Sequence, residues 1–188
     1  NYISGVSSQV KSAVALAGLN SFGNTKIIEK ERSRDHTENI LLNSSGVIKI
    51  TNNLKKNRVI TIFGKKYLKP LNINVPGDPS SAAFFTALTI LNNGSSLKIK
   101  NVGLNPTRTG FYEIMRNSGA KIKFKNVKKK SNEPFGDILV KSSKLKPLRV
   151  PKKFYVKCVD EFPIMFIIAA MTPGTSILEV DAENLKNK

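Results

Sequence analysis

Apolar and polar positions along the chain fall into a pattern that returns three times. Residues 8–28 read SQVKSAVALAGLNSFGNTKII, residues 80–99 read SSAAFFTALTILNNGSSLKI, and residues 160–178 read DEFPIMFIIAAMTPGTSIL. Each stretch starts polar, runs on as an apolar helix of about three turns, meets a glycine and ends in β-forming residues. Gly23, Gly94 and Gly174 are expected to stop these helices in the left-handed conformation. A second helix follows in the first two stretches, where RDHTENILLNSSGVIKI at 34–50 lines up with RTGFYEIMRNSGAKIKF at 108–124. Further β-like runs stand at 58–63, 71–75 and 137–141. The predicted unit is βαβαββ, about 70 to 80 residues long and far longer than a solenoid repeat.

The first helix of each unit shows little polar face, as in AVALAGL, AAFFTALTIL and FPIMFIIAAM. Such helices are expected to be buried all round, with sheets wrapped outside a core of helices. That is an inside-out α/β barrel rather than a doubly wound sheet. The segment NVPGDP at 74–79 punctuates the chain with Pro76, Gly77 and Pro79. The break between domains is expected there, dividing the chain into 1–76, one repeat, and 77–188, one and a half repeats.

Composition narrows the class without fixing it. The 188 residues are 40% hydrophobic and include 10 Phe, which suits a packed core. FPIMFIIAAM, the longest apolar run, is too short to span a bilayer and contains a proline, so no membrane association is expected. No signal peptide is visible, and Cys158 is the single cysteine, which fits a reducing, cytoplasmic setting. The chain starts at Asn1 and stops in ENLKNK, and is expected to be a piece of a longer protein. Its net charge of +18 suggests an anionic partner, or simply a lysine-rich composition. The lysines are scattered, apart from VKKK at 127–130, whereas a nucleic-acid reader gathers its cations on one face.

Polar motifs open the predicted helices. GVSSQVKSA at 5–13 puts Ser7, Ser8 and Gln9 at a helix start, where free backbone N–H groups and the dipole favour phosphate or carboxylate. Ordinary capping by Ser7 or Ser8 competes with that reading, and GDPSSAA at 77–83 has the same shape. In SRDHTE at 33–38, Asp35 is expected to cap the helix while Glu38 reaches back in a capping box. Arg34 has the wrong sign for a helix start unless an anion sits there with it. His36 is expected to be structural. NPTRTG at 105–110 repeats the motif with Asn105 as cap, Pro106 early in the helix and Arg108 as the cation. In VDEFPIMF, Asp160 precedes an apolar helix, where it is either a cap or a base of raised pKa. Cys158 is expected to be a small buried hydrophobe. The chain has no Walker loop, dinucleotide-binding glycine fingerprint, HExxH or cysteine cluster, so no metal or cofactor is expected.

Taken together, SSQVKSA, GLNSFGNT, RDHTE, VPGDPSSAAF, NPTRTG and VDEFPI resemble the enolpyruvyl transferases, in the family's order and across essentially all 188 residues. The resemblance is to the branch whose acceptor is shikimate 3-phosphate. It implies two domains of three repeats each, and a monomer when full length. It implies a reaction in which phosphoenolpyruvate gives its enolpyruvyl group to the acceptor's 5-hydroxyl through a tetrahedral intermediate, releasing phosphate without a cofactor. Ser7, Ser8 and Gln9 match the family's shikimate-phosphate contacts, and Arg34 matches a cation on the same substrate. Asp160 matches the acid beside the 5-hydroxyl, the family's proposed proton acceptor. Lys188 resembles the lysine opening a Lys-Glu-Ser-Asp-Arg motif, with NLKNK displaced by a residue from the usual spacing. The remaining cations of the site lie outside this chain, so the chain alone is expected to be inactive.

Two rivals stand beside this reading. The UDP-N-acetylglucosamine enolpyruvyl transferases share the architecture, but RDHTE and NPTRTG argue against them. A basic, non-enzymatic nucleic-acid-binding module would exploit the charge, but few aromatics sit among the lysines to stack bases.

Overall fold

The computed structural model describes residues 1–5, 7–54 and 57–180. Two compact units divide the chain: unit 1 is Asn1–Asn74 with Lys130–Glu133, and unit 2 is Val75–Lys129 with Pro134–Lys188.

Unit 1 runs β1 (Tyr2–Ser4), α1 (Ser8–Asn20), β2 (Asn24–Glu29), α2 (His36–Leu41), β3 (Ile48–Asn52) and β4 (Arg58–Phe63). The strands form one sheet in the order β1-β2-β4-β3. β1 lies parallel to β2, while β4 is antiparallel to both β2 and β3. This is the βαβαββ unit expected from the repeat. Alternation places Ile27 and Glu29 of β2, and Ile60 and Ile62 of β4, on the face covered by α1. Ala15, Leu19, Leu41 and Val47 complete that core.

Unit 2 runs α3 (Pro79–Leu91), β5 (Ser96–Gly103), α4 (Gly110–Asn117), β6 (Lys121–Lys130) and β7 (Glu133–Lys141). It continues with β8 (Arg149–Val150), α5 (Tyr155–Cys158), a 3₁₀ turn (Val159–Glu161), α6 (Phe162–Ala170) and β9 (Ile177–Leu178). β7 is central in a sheet of order β5-β7-β6, and β8 pairs in parallel with β9. Phe111, Tyr112, Ile114, Met115, Ile138 and Met165 lie at its core. β6 is an edge strand along which Lys121, Lys123 and Lys125 alternate outward. Charged side chains there discourage edge-to-edge pairing, which accounts for part of the net charge without a ligand.

Several sequence expectations need correction. The run at 71–75 forms no strand. Leu71, Ile73 and Val75 are exposed, the run lies between Pro70 and Pro76, and the unit's opening strand shrinks to a bridge between Gly77 and Val102. Gly23, Gly94 and Gly174 do take positive φ, of 82°, 73° and 100°. They sit in the turns into the following strands, because the caps of α1, α3 and α6 fall earlier, at Ser21, Asn92 and Met171.

The three apolar helices are not buried all round within this chain. Val10 and Leu16 of α1, Phe84, Phe85 and Leu88 of α3, and Phe166 and Ile167 of α6 all face outward. A helix lacking a polar face is enclosed only when elements flank it on every side. The described residues cover one side of each.

Candidate active site

The start of α1 is a capped helix end with no acidic residue of its own. Ser7 holds the N-cap position with extended backbone (φ −77°, ψ 109°), and its hydroxyl accepts from Val10 N at a long 3.4 Å. No acidic residue occupies the first turn. Ser7 and Gln9 are exposed and Ser8 is half-buried, so the N–H groups of this turn face a surface that an anion can reach.

The start of α3 shows the contrast. Asp78 caps it, its Oδ2 accepting from Ser81 N at 3.0 Å and Ser81 Oγ at 2.9 Å. Arg108 donates to Asp78 Oδ1 at 2.7 Å and to Ser80 Oγ at 2.8 Å. Partial burial alone would raise the pKa of Asp78, but the bonds from Ser81 and the charge of Arg108 hold it below its usual value. An internal carboxylate and its cation already fill the place that an anion would take.

Beneath the α1 start lies a buried ionic cluster that the sequence did not announce. Lys11 Nζ donates to Glu29 Oε1 and lies equally close to Glu38 Oε1, both at 2.8 Å, with all three side chains almost fully enclosed. Arg58 reaches Glu29 Oε2 at 3.0 Å and Glu38 Oε1 at 3.2 Å. Two cations thus balance two carboxylates, as burial of charge demands. Ser33 adds its N–H and hydroxyl to Glu29 Oε1 at 2.9 and 2.8 Å. Burial alone would raise the pKa of Glu29, but the bond from Lys11, and then those from Ser33, hold it below the usual 4.5. Lys11, the one charged residue of α1, and Glu29, which follows the apolar pair Ile27 and Ile28 at the end of β2, were the available signal.

The cluster corrects the capping box. Glu38 does not reach back to the start of α2; it is buried against Lys11 and Arg58 instead. Asp35 holds the N-cap position without a side-chain capping bond, accepting from Arg32 at 2.6 Å and from Asn39 at 3.4 Å. His36 is structural as expected, its Nδ1 2.8 Å from Glu133 Oε1 at the hairpin tip within unit 1. Thr37 hydroxyl meets Ser12 hydroxyl at 2.7 Å, a second tie between α1 and α2. Arg34, half-buried, stands in the loop between Ser33 and Asp35.

NPTRTG also differs from expectation. Asn105 caps no helix: its Oδ1 accepts from Thr107 N at 2.9 Å and Thr107 Oγ1 at 2.7 Å, closing a turn that carries Pro106 and Arg108. α4 begins later, at Gly110 behind Thr109, and a Cβ on Gly110 would lie 2.8 Å from that of Lys157.

Asp160 lies in unit 2, exposed in the 3₁₀ turn. It is not the cap of α6, whose N-cap residue is Glu161, without a side-chain capping bond. Glu161 is buried and accepts from Ser80 Oγ, so the two adjacent acids have separate environments. Cys158 is fully buried, its Sγ donating to Phe154 O at 3.1 Å, and burial followed by the charge of Glu161 pushes its pKa up to about 12. Ser7, Ser8, Gln9 and Arg34 thus fall in unit 1, Asp160 falls in unit 2, and Lys188 lies outside the described residues. No helix among the described residues is long and apolar enough to cross a membrane.

Comparison with known proteins supplies the family. Residues 2–188 match the family model described as EPSP synthase (3-phosphoshikimate 1-carboxyvinyltransferase). A 3-phosphoshikimate 1-carboxyvinyltransferase of Zymomonas mobilis is 45% identical over 177 residues, covering 94% of this chain and 39% of the relative. The protein of the same name from Bacillus subtilis is 40% identical over 189 residues, covering 100% of this chain and 43% of the relative. The solved EPSP synthase from Acinetobacter baumannii superposes with a TM-score of 0.79 at 38% identity, covering 92% of this chain and 38% of that one. At that identity the fold is shared: the inside-out α/β arrangement, of which this chain holds a part. The chain spans about two fifths of the length of the curated relatives it matches, and it belongs to the EPSP synthase family.

Proposed function

We propose that the full-length protein carrying this chain transfers the enolpyruvyl group of phosphoenolpyruvate to the 5-hydroxyl of shikimate 3-phosphate, releasing phosphate. In this reading it is a cytoplasmic transferase of the shikimate pathway, on the route to chorismate and the aromatic amino acids. Ser7, Ser8, Gln9 and Arg34 are its acceptor contacts in this reading, and Asp160 is its base toward the 5-hydroxyl. The observation that carries the reading is the start of α1: a capped helix end without an acidic residue in its first turn, beside the loop of Arg34. A phosphate there would complete the charge pattern that Asp78 completes at α3.

The test is phosphate release from phosphoenolpyruvate by the full-length protein, with shikimate 3-phosphate or UDP-N-acetylglucosamine as acceptor. Release is expected with the first alone. Release only with the second would assign the chain's parent to the other transferase class, and binding to DNA with a steep salt dependence in place of turnover would favour the nucleic-acid reading. Arg34→Lys is expected to raise the Kd for shikimate 3-phosphate about tenfold, because lysine cannot grip an oxyanion at two points.

A further inference from the structure

We propose that Glu29 is a positioning residue that fixes the spacing between the start of α1 and the loop carrying Arg34. This rests on the reading of those two segments as the acceptor site. A single buried oxygen, Glu29 Oε1, takes Lys11 Nζ at 2.8 Å, Ser33 N at 2.9 Å and Ser33 Oγ at 2.8 Å. Lys11 lies one turn beyond Ser8 on α1, and Ser33 immediately precedes Arg34. The carboxylate that joins them is held on β2, an interior strand, where Glu29 pairs with Ser4 of β1 and Arg58 of β4. Both segments are therefore referred to one rigid point rather than to each other's flexible side chains.

Arg58 does a different job in the cluster. Arg58 touches Glu29 Oε2 and Glu38 Oε1, and neither contact involves Ser33 or the Arg34 loop. Its guanidinium neutralises the carboxylates and fastens β4 to α2. Arg58 thus separates positioning from plain stability within the same cluster.

The experiment compares Ser33→Ala, Arg58→Gln and Arg34→Lys in the full-length protein, reading KM for shikimate 3-phosphate, kcat and Tm. Ser33→Ala removes one donor to Oε1 without leaving a charge unpaired. It is expected to raise the acceptor KM about tenfold, with kcat at saturating acceptor unchanged within about twofold. Arg58→Gln is expected to lower Tm while leaving the acceptor KM within about twofold. If Arg34→Lys raises KM and Ser33→Ala does not, the positioning role is wrong while the site reading stands. Parallel shifts of KM and Tm in Ser33→Ala and Arg58→Gln would reduce Glu29 to a structural ion-pair member. An unchanged KM in Arg34→Lys would overturn the site reading, and the positioning role with it.

Discussion

In the full-length protein, Asp160→Asn should leave a folded, acceptor-binding enzyme that turns over about a hundredfold to ten-thousandfold more slowly, the worth of a positioned general base. Two facts make the substitution clean. Asp160 is exposed and does not hold the N-cap position of α6, so asparagine costs no cap. The buried partner of Ser80 is the neighbouring Glu161, which the change leaves intact. The expected Tm shift is no more than about 2 °C, the scale of a surface substitution. Titration with shikimate 3-phosphate should give the parent Kd within a few-fold. Turnover within a few-fold of the parent would remove Asp160 from the chemistry and leave it as a turn residue.

Lys11→Met should be the most destabilising single change in unit 1. Methionine fills a similar volume, but its arrival leaves Glu29 and Glu38 facing each other with Arg58 as their cation. Breaking a buried pair from one side costs about 3–5 kcal/mol, because the remaining charge is stranded. The urea midpoint of the full-length protein reads this directly, and a loss below about 1 kcal/mol would class the cluster with surface ion pairs. Acid should act along the same coordinate. The folded-state pKa of Glu29 is depressed below 4.5, so its contribution to stability is fully present above that value. That contribution is lost as the pH falls toward the folded-state pKa. In Lys11→Met the depressing bond is gone and burial favours the neutral acid, so the loss of unit 1 stability that Glu29 causes on acidification should be smaller than in the parent.

The repeat was legible because it rests on periodicity: apolar helices, left-handed glycines and alternating strands recur whatever surrounds them. β4 falls on the run read at 58–63, and the positive φ of Gly23, Gly94 and Gly174 follows from residue type. Long-range pairing was not legible. Glu38 in RDHTE satisfies the local pattern of a capping box, yet a lysine in α1 and an arginine in β4 compete for it, and a buried ion pair outweighs an exposed cap. Asn105 looked like a helix cap because Pro106 follows it. A side chain that bonds two residues ahead closes a turn just as well, and only the close approach of Lys157 shows why position 110 has room for nothing larger than glycine. Candidate site residues were readable through the strings SSQVKSA, RDHTE and VDEFPI. The Glu29 carboxylate that joins the first two was not, since its meaning depends on three segments meeting at one oxygen.

The most direct measurement follows backbone amides in the ¹⁵N-labelled full-length protein as shikimate 3-phosphate is added. α1 and α3 both begin with adjacent serines, but Asp78 and Arg108 already close the charge at α3. The expected result is saturable movement of the Ser8, Gln9 and Arg34 amides, with those of Ser80 and Ser81 little changed. Movement at Ser80 and Ser81 with Ser8, Gln9 and Arg34 unmoved would contradict the assignment of the acceptor to the start of α1.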